Sequence, residues 1–135
     1  MAKVVGIGID IVDINRFSKT FKRNKKFKKR IFTKSEIKFC DKKNSKISCF
    51  AKRFAAKEAF SKALGTGISQ GLNFNEIGVK NDLSGKPTIY LEGNTKKIVN
   101  NLFKGKKINF FISLSDEKKF AIAMIVITAL WKKNF

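Results

Sequence analysis

The first patterned stretch of the chain, VVGIGIDIVDI (residues 4–14), alternates with a period of two. Ile7, Ile9 and Ile11 fall on one side, Gly6, Gly8 and Asp10 on the other. That period predicts a β-strand with Asp10 at or near its end. The glycines leave its second face open to close approach by another element. From residue 15 to about 43 the period changes. Phe17 and Phe21, then Phe27 and Ile31, recur four apart among basic residues, which predicts helix. TKSE at 33–36 has the form of a capping box, with Thr33 as N-cap and Glu36 at N3, and opens a further short helix. A longer helix is predicted over 47–64, where Phe50, Phe54 and Glu58 follow at steps of four and Gly65 serves as C-cap.

The second half has a different character. FNEIGVK (74–80) predicts a strand, NDLSGKP (81–87) has turn chemistry, and TIYLEG returns as its hairpin partner. Residues 95–103 predict a short amphipathic helix. KINFFISLS (107–115) and FAIAMIVI, from residue 120, predict two strands around a DEKK turn. The last strand is apolar on both faces, which predicts a central position. The elements sum to an α+β fold: a helical insert after the first strand, then a mostly antiparallel sheet. At 135 residues, residues 1–135 form one domain with its own core.

Charge narrows the function. Thirty Lys and Arg against ten Asp and Glu give a net +20, which asks for a polyanionic partner. Part of that excess has a duller origin, because Lys, Asn, Ile and Phe are enriched together, as AT-rich coding imposes. A small basic nucleic-acid-binding domain is therefore the alternative reading, although its phenylalanines stand at core spacing rather than as a base-stacking platform. The chain has no histidine and two cysteines without CxxC spacing, which excludes a histidine base and an ordinary zinc site. Cys40 and Cys49 are expected as reduced thiols, without disulfides, in a cytoplasmic protein. The longest uncharged apolar run, FAIAMIVITALW, is too short for a membrane-spanning helix, and Asp10 and Asp13 interrupt any apolar export signal. No membrane association is expected.

With acids this scarce, Glu58 stands out in RFAAKEAFSKALGTGI (53–68). One reading is an i,i+4 pair with Lys62, worth roughly 0.2–0.5 kcal/mol. The other is a metal ligand. Phe54 shares its face, so the carboxylate borders the core, and Lys52, Arg53, Lys57 and Lys62 repel one another unless an anion joins them. Mg²⁺ takes one or two carboxylates and completes its octahedron with substrate phosphates and water, and Asp10 is the best second carboxylate. Gly65-Thr66-Gly67 follows a helix instead of preceding one, so a phosphate loop of the G-x-x-x-x-G-K-[ST] kind is excluded and a helix stop is the plain reading.

GIGIDIVDINRF near the start, RFAAKEAFSKALGTGI in the middle, GKP at 85–87 and ISLS near the end occur in one order over essentially the whole chain. Together they resemble the holo-(acyl-carrier-protein) synthases of the 4′-phosphopantetheinyl transferase superfamily. The resemblance implies that superfamily's fold. It also implies transfer of the phosphopantetheine arm of coenzyme A to a serine of apo-acyl carrier protein in fatty acid biosynthesis, releasing adenosine 3′,5′-bisphosphate. Asp10 and Glu58 are then the Mg²⁺ ligands and Lys62 reaches the pyrophosphate. Arg53 addresses the 3′-phosphate, and the surrounding cations all converge on this substrate. Gly65, Thr66, Gly67 and Pro87 line the nucleotide cleft, with Ser113 beside it. Without histidine, Glu58 is favoured as proton acceptor, directly or through water. The first helix docks the acidic carrier through Arg16, Lys19, Lys22 and Arg23, and the assembly is a homotrimer with sites at subunit interfaces. Phe110, Phe111 and the final strand supply burial there. Family members often carry histidine where this chain has Asp116; either Lys118 or Lys119 compensates for the phosphate, or Asp116 simply caps the DEKK turn, which is the favoured reading.

Overall fold

A computed structural model describes residues 1–65 and 71–133. Strand β1 (Lys3–Asp13) runs directly into helix α1 (Ile14–Arg23), followed by α2 (Phe27–Ile31), α3 (Lys34–Asp41) and the long α4 (Lys46–Leu64). The second half holds β2 (Ile77–Asn81), β3 (Pro87–Leu91), α5 (Gly93–Leu102), β4 (Lys106–Asp116) and β5 (Phe120–Trp131). All pairing is antiparallel, but it divides into two sheets, β1-β5-β4 and β2-β3. The central place of β5 follows from its sequence.

Segment 74–76 departs from the strand pattern and forms a 3₁₀ turn. The cause is Glu76. Its carboxylate accepts hydrogen bonds from the backbone N–H groups of Asn94 and Thr95 and from the Thr95 hydroxyl. It thereby satisfies the unpaired donors at the start of α5. The capping box at Thr33 and Glu36 forms as its spacing predicts, and Gly65 ends α4 in the left-handed conformation at φ 74°.

The alternation in β1 sets the depth at which α4 packs. A Cβ on Gly8 would lie 1.8 Å from the Ala59 carbonyl oxygen, and one on Gly6 would lie 2.1 Å from that of Ala63. Helix α4 thus lies directly on the strand's backbone, with the buried Ala55, Ala59 and Ala63 available for so close an approach. Gly8→Ala must part helix from strand, and should cost about 1–3 kcal/mol or more, read as a lower denaturation midpoint. On the other side of α4, Phe17, Phe21, Phe27, Phe32, Phe50 and Phe54 form a continuous aromatic cluster joining α1, α2 and α4.

Two structural features differ from expectation. Cys40 and Cys49 form a disulfide, Cα to Cα 5.6 Å, across the corner between α3 and α4. CxxC spacing is unnecessary because the helix reversal brings the two together. The second feature is a fully buried ion pair between Glu36 and Lys57. The Lys57 ammonium donates to Glu36 Oε1 at 2.6 Å and to the carbonyls of Phe74 and Ile77, while Glu36 also accepts from the Thr33 and Val79 amides. Burial pulls the Lys57 pKa below its ordinary value, and Glu36 opposes that shift.

Candidate functional site

Near the end of β1, Asp10 faces α4 with its side chain largely covered. Three residues later Asp13 caps α1 by accepting from the Arg16 amide at 2.9 Å. That cap turns the chain from strand into helix within one residue, and so places Arg16 at the mouth of a cleft. The cleft, about 440 Å³, is lined by Asp10, Arg16, Glu58 and Lys62, with Phe17, Phe27 and Phe54 as its apolar wall.

Within it Lys62 spans to β1, donating to Asp10 Oδ1 at 3.0 Å and to the Ile9 carbonyl at 3.1 Å. Among the described residues its ion pair is with Asp10, not with Glu58, so the i,i+4 reading gives way to a tertiary contact. The close packing at Gly8 explains this, because it brings β1 within reach of a side chain that would otherwise turn along its own helix. Glu58 is half-buried. Burial raises its carboxyl above the usual range, the Asp10 charge raises it further, and Lys62 partly offsets both. Two carboxylates and one ammonium thus share a partly dry cleft.

The other cations of α4 do not converge on Glu58. At 3.6 residues per turn, Arg53 lies about 140° around the helix from Glu58, and Lys57 about 100°. Lys57 is spent on Glu36, and Lys52 pairs with Asp116. Arg53 is 3 % exposed, stacks on Phe39 and donates to Asn81 Oδ1 at 3.0 Å. Its Nε has no hydrogen-bond partner among the described residues. Since Asn81 pairs with Pro87 across the hairpin, Arg53 reaches the strand ends where Pro87 lies, on a different side of α4 from Glu58.

Asp116 does not cap the DEKK turn. Its carboxylate accepts from the Ser48 hydroxyl at 2.6 Å and pairs with Lys52, tying the end of β4 to the start of α4. The Ser48 hydrogen bond is the main cause of its lowered pKa, with Lys52 adding to it. A carboxyl whose folded pKa is depressed contributes stability above its ordinary value of 3.8, and loses it as pH falls through the lowered one. Asp116→Asn should therefore lower the unfolding midpoint at neutral pH, with the difference closing in acid below that lowered pKa.

Gly65 stands at the end of α4, whereas Thr66 and Gly67 lie outside the described residues. Ser113 and Asp10 are on opposite faces of the sheet: Asp10 is opposite the buried Ala123, Ser113 opposite the exposed Met124. Phe110 turns inward, edge-on to Phe60, while Phe111 points out. On α1, Arg16, Lys19 and Arg23 form one exposed stripe within about 60°, and Lys22 stands to its side. The sequence reading missed two residues that matter here. Asp13 had a legible signal, a capping residue between strand and helix periods; Asn81, a hairpin residue, had none.

Residues 6–124 match the model of the 4′-phosphopantetheinyl transferase superfamily. A holo-[acyl-carrier-protein] synthase of Pelagibacter ubique is 50% identical over 125 residues, covering 93% of this chain and 97% of its own. The crystal structure of the Neisseria meningitidis holo-[acyl-carrier-protein] synthase superposes with a TM-score of 0.82 at 35% identity, covering 93% of this chain and 98% of that one. The Helicobacter pylori enzyme, solved in complex with coenzyme A, does so at 0.73 and 38% identity, over 90% and 98% of the two chains. With its cleft of two carboxylates and a lysine, this chain belongs to the 4′-phosphopantetheinyl transferase superfamily.

Proposed function

We propose that this chain moves the 4′-phosphopantetheine arm of coenzyme A onto a serine of apo-acyl carrier protein, releasing adenosine 3′,5′-bisphosphate, in support of fatty acid biosynthesis. The meeting of Asp10, Glu58 and Lys62 in one cleft, beside the exposed basic stripe of α1, carries this reading. The donors fit a hard divalent cation: two carboxylates, one pushed up in pKa by burial and then by the other's charge, with room left for phosphate and water. Asp10 and Glu58 would hold Mg²⁺, which neutralises charge on the pyrophosphate of the bound substrate.

The chain's own groups do the rest. The Lys62 ammonium, mostly solvent-exposed and anchored on Asp10, supports negative charge on the phosphoryl oxygens as the ester bond to the serine forms and the pyrophosphate bond breaks. Glu58 accepts the serine proton, directly or through a water, from its place beside the apolar wall of the cleft. The corner of Arg53 and Pro87 takes the 3′-phosphate in this proposal. Gly65, where α4 ends, lines the nucleotide cleft in this proposal. A Mg²⁺-dependent mass gain of one phosphopantetheinyl group on apo-acyl carrier protein mixed with coenzyme A is the test, and no gain with any carrier overturns the assignment.

The carrier docks on α1. Arg16→Glu with Lys22→Glu should raise KM for carrier protein roughly tenfold and make it less salt-sensitive, with KM for coenzyme A nearly unchanged. Equal losses for both substrates count against α1 as the docking face.

Three copies assemble through the outer sheet face in this proposal. Ile7, Ile9, Ile11, Phe111, Ile122 and Met124 form an exposed apolar expanse of a kind that monomers rarely show. Because Ser113 lies on that outer face, a site using both Ser113 and Asp10 draws on two copies. Sedimentation at the mass of one chain would remove this part of the proposal. Cytoplasmic location belongs to the proposal as well. No described helix is long and apolar enough to cross a membrane.

A further inference from the structure

A second cleft, of about 670 Å³, opens between β3, the C-terminal half of α5 and the start of β4, and shares no lining residue with the first. Its rim carries Lys96, Lys104, Lys106 and Lys132, while Lys107 borders it only from the outer face of β4, and no Asp or Glu lines it. None of these lysines has a carboxylate within 4.0 Å among the described residues, whereas Lys28, Lys46, Lys52, Lys57 and Lys62 each have one. The floor is apolar, with Leu91, Val99, Phe103, Ile108 and Phe110 turned into it. The C-terminal dipole of α5 acts only over the last turn of that helix, and so favours Lys104 at most.

Coding bias scatters lysine over a whole surface. It does not gather four around an acid-free concavity with an aliphatic and aromatic floor. The volume lies within the range of small-molecule sites, which pair an apolar lining with a few convergent polar groups. Like charges so placed repel one another, and an anionic group among them removes that cost. A fully polar anion would leave the floor in water, and an uncharged chain would leave the lysines unmatched. We infer that this cleft binds an anionic amphiphile, with a phosphate or carboxylate head held by the lysine rim and an acyl chain lying on the Leu91, Phe103, Ile108 and Phe110 floor. Charge complementarity selects the head and the floor selects the tail.

Trp131, the only tryptophan, reports on the site directly. The Lys106 ammonium sits over its ring at 4.8 Å from the centroid, so an anion drawing on Lys106 alters the indole's surroundings. The experiment titrates the full chain with dodecyl phosphate below its micellar concentration, with inorganic phosphate and a short DNA duplex as parallel arms. Trp131 emission is the readout, and circular dichroism verifies that the fold is intact. The expected result is a saturable change with dodecyl phosphate alone, weakened roughly tenfold in a Lys96→Glu, Lys104→Glu variant, whose exposed positions on and just after α5 lie away from the Asp10 cleft and leave phosphopantetheinyl transfer untouched. Equal response to inorganic phosphate or DNA makes the cleft a mere charge patch and overturns the inference. Unsaturable binding, undiminished binding in the variant, or no binding at all overturns it equally. Because transfer is assayed separately, failure here leaves the proposed activity standing, and the reverse.

Discussion

Glu58→Gln loses phosphopantetheinyl transfer by roughly 10²–10⁴-fold in turnover, the range that a positioned proton acceptor supplies. Gln keeps the shape of the side chain and removes its charge and basicity, so the half-buried position beside Phe54 is filled as before. The assay is transfer to apo-acyl carrier protein at saturating coenzyme A, with thermal unfolding measured in parallel to show that the variant is folded. Asp10→Asn should fall with it, for a different reason. Asp10 holds Lys62 at 3.0 Å, so its loss both removes an oxygen ligand and frees the ammonium. If the proposed roles hold, raised Mg²⁺ should recover part of the rate in Asp10→Asn and little in Glu58→Gln, where the proposed proton acceptor is missing as well as the proposed ligand. Normal turnover in Glu58→Gln would end any essential role for that carboxylate.

Lys57→Met is the largest expected change in stability, about 3–5 kcal/mol, because it leaves Glu36 charged and fully buried without its cation. The same substitution removes a donor from the carbonyls of Phe74 and Ile77, the first of which keeps the Ile77 amide as a partner. Urea unfolding with an unchanged slope and a lower midpoint is the measurement. Adding Glu36→Gln should recover a large part of the loss, since a neutral amide needs no buried counter-charge and keeps the capping geometry at Thr33. A single variant with wild-type stability would show that the pair contributes nothing. Since Lys57 precedes Glu58 on α4, this bond also fixes the helix against β2, and with it the rotation that turns Glu58 into the cleft.

Lys57 shows how far local pattern reaches. Read along the chain, it is one of several cations beside Glu58; in the fold it is on another side of the helix, neutralised by a residue that the chain reaches only through α3. Arg53 behaves alike, and so does Lys62, whose partner comes from β1 and not from its own helix. The disulfide between Cys40 and Cys49 was hidden for a related reason: nothing in the spacing of two cysteines says that the chain reverses between them. By contrast the capping box at Thr33, the αL glycine at position 65 and the central position of β5 were all legible. Each of these depends on contacts within a few residues or on the apolar count of both faces of one strand.

The order of strands and helices, the α+β class and the two carboxylates worth watching followed from the amino-acid sequence alone, because backbone periods of two and 3.6 residues are written locally in side-chain alternation. Which charged groups meet was decided by packing. The depth to which α4 sinks onto Gly6 and Gly8 brings Lys62 to Asp10, and the rotation of the same helix sends Arg53 and Lys57 into separate buried networks. Pairing between charges depends on what lies across a few ångströms of space, and residues 52 positions apart in the chain carry no mark of that distance.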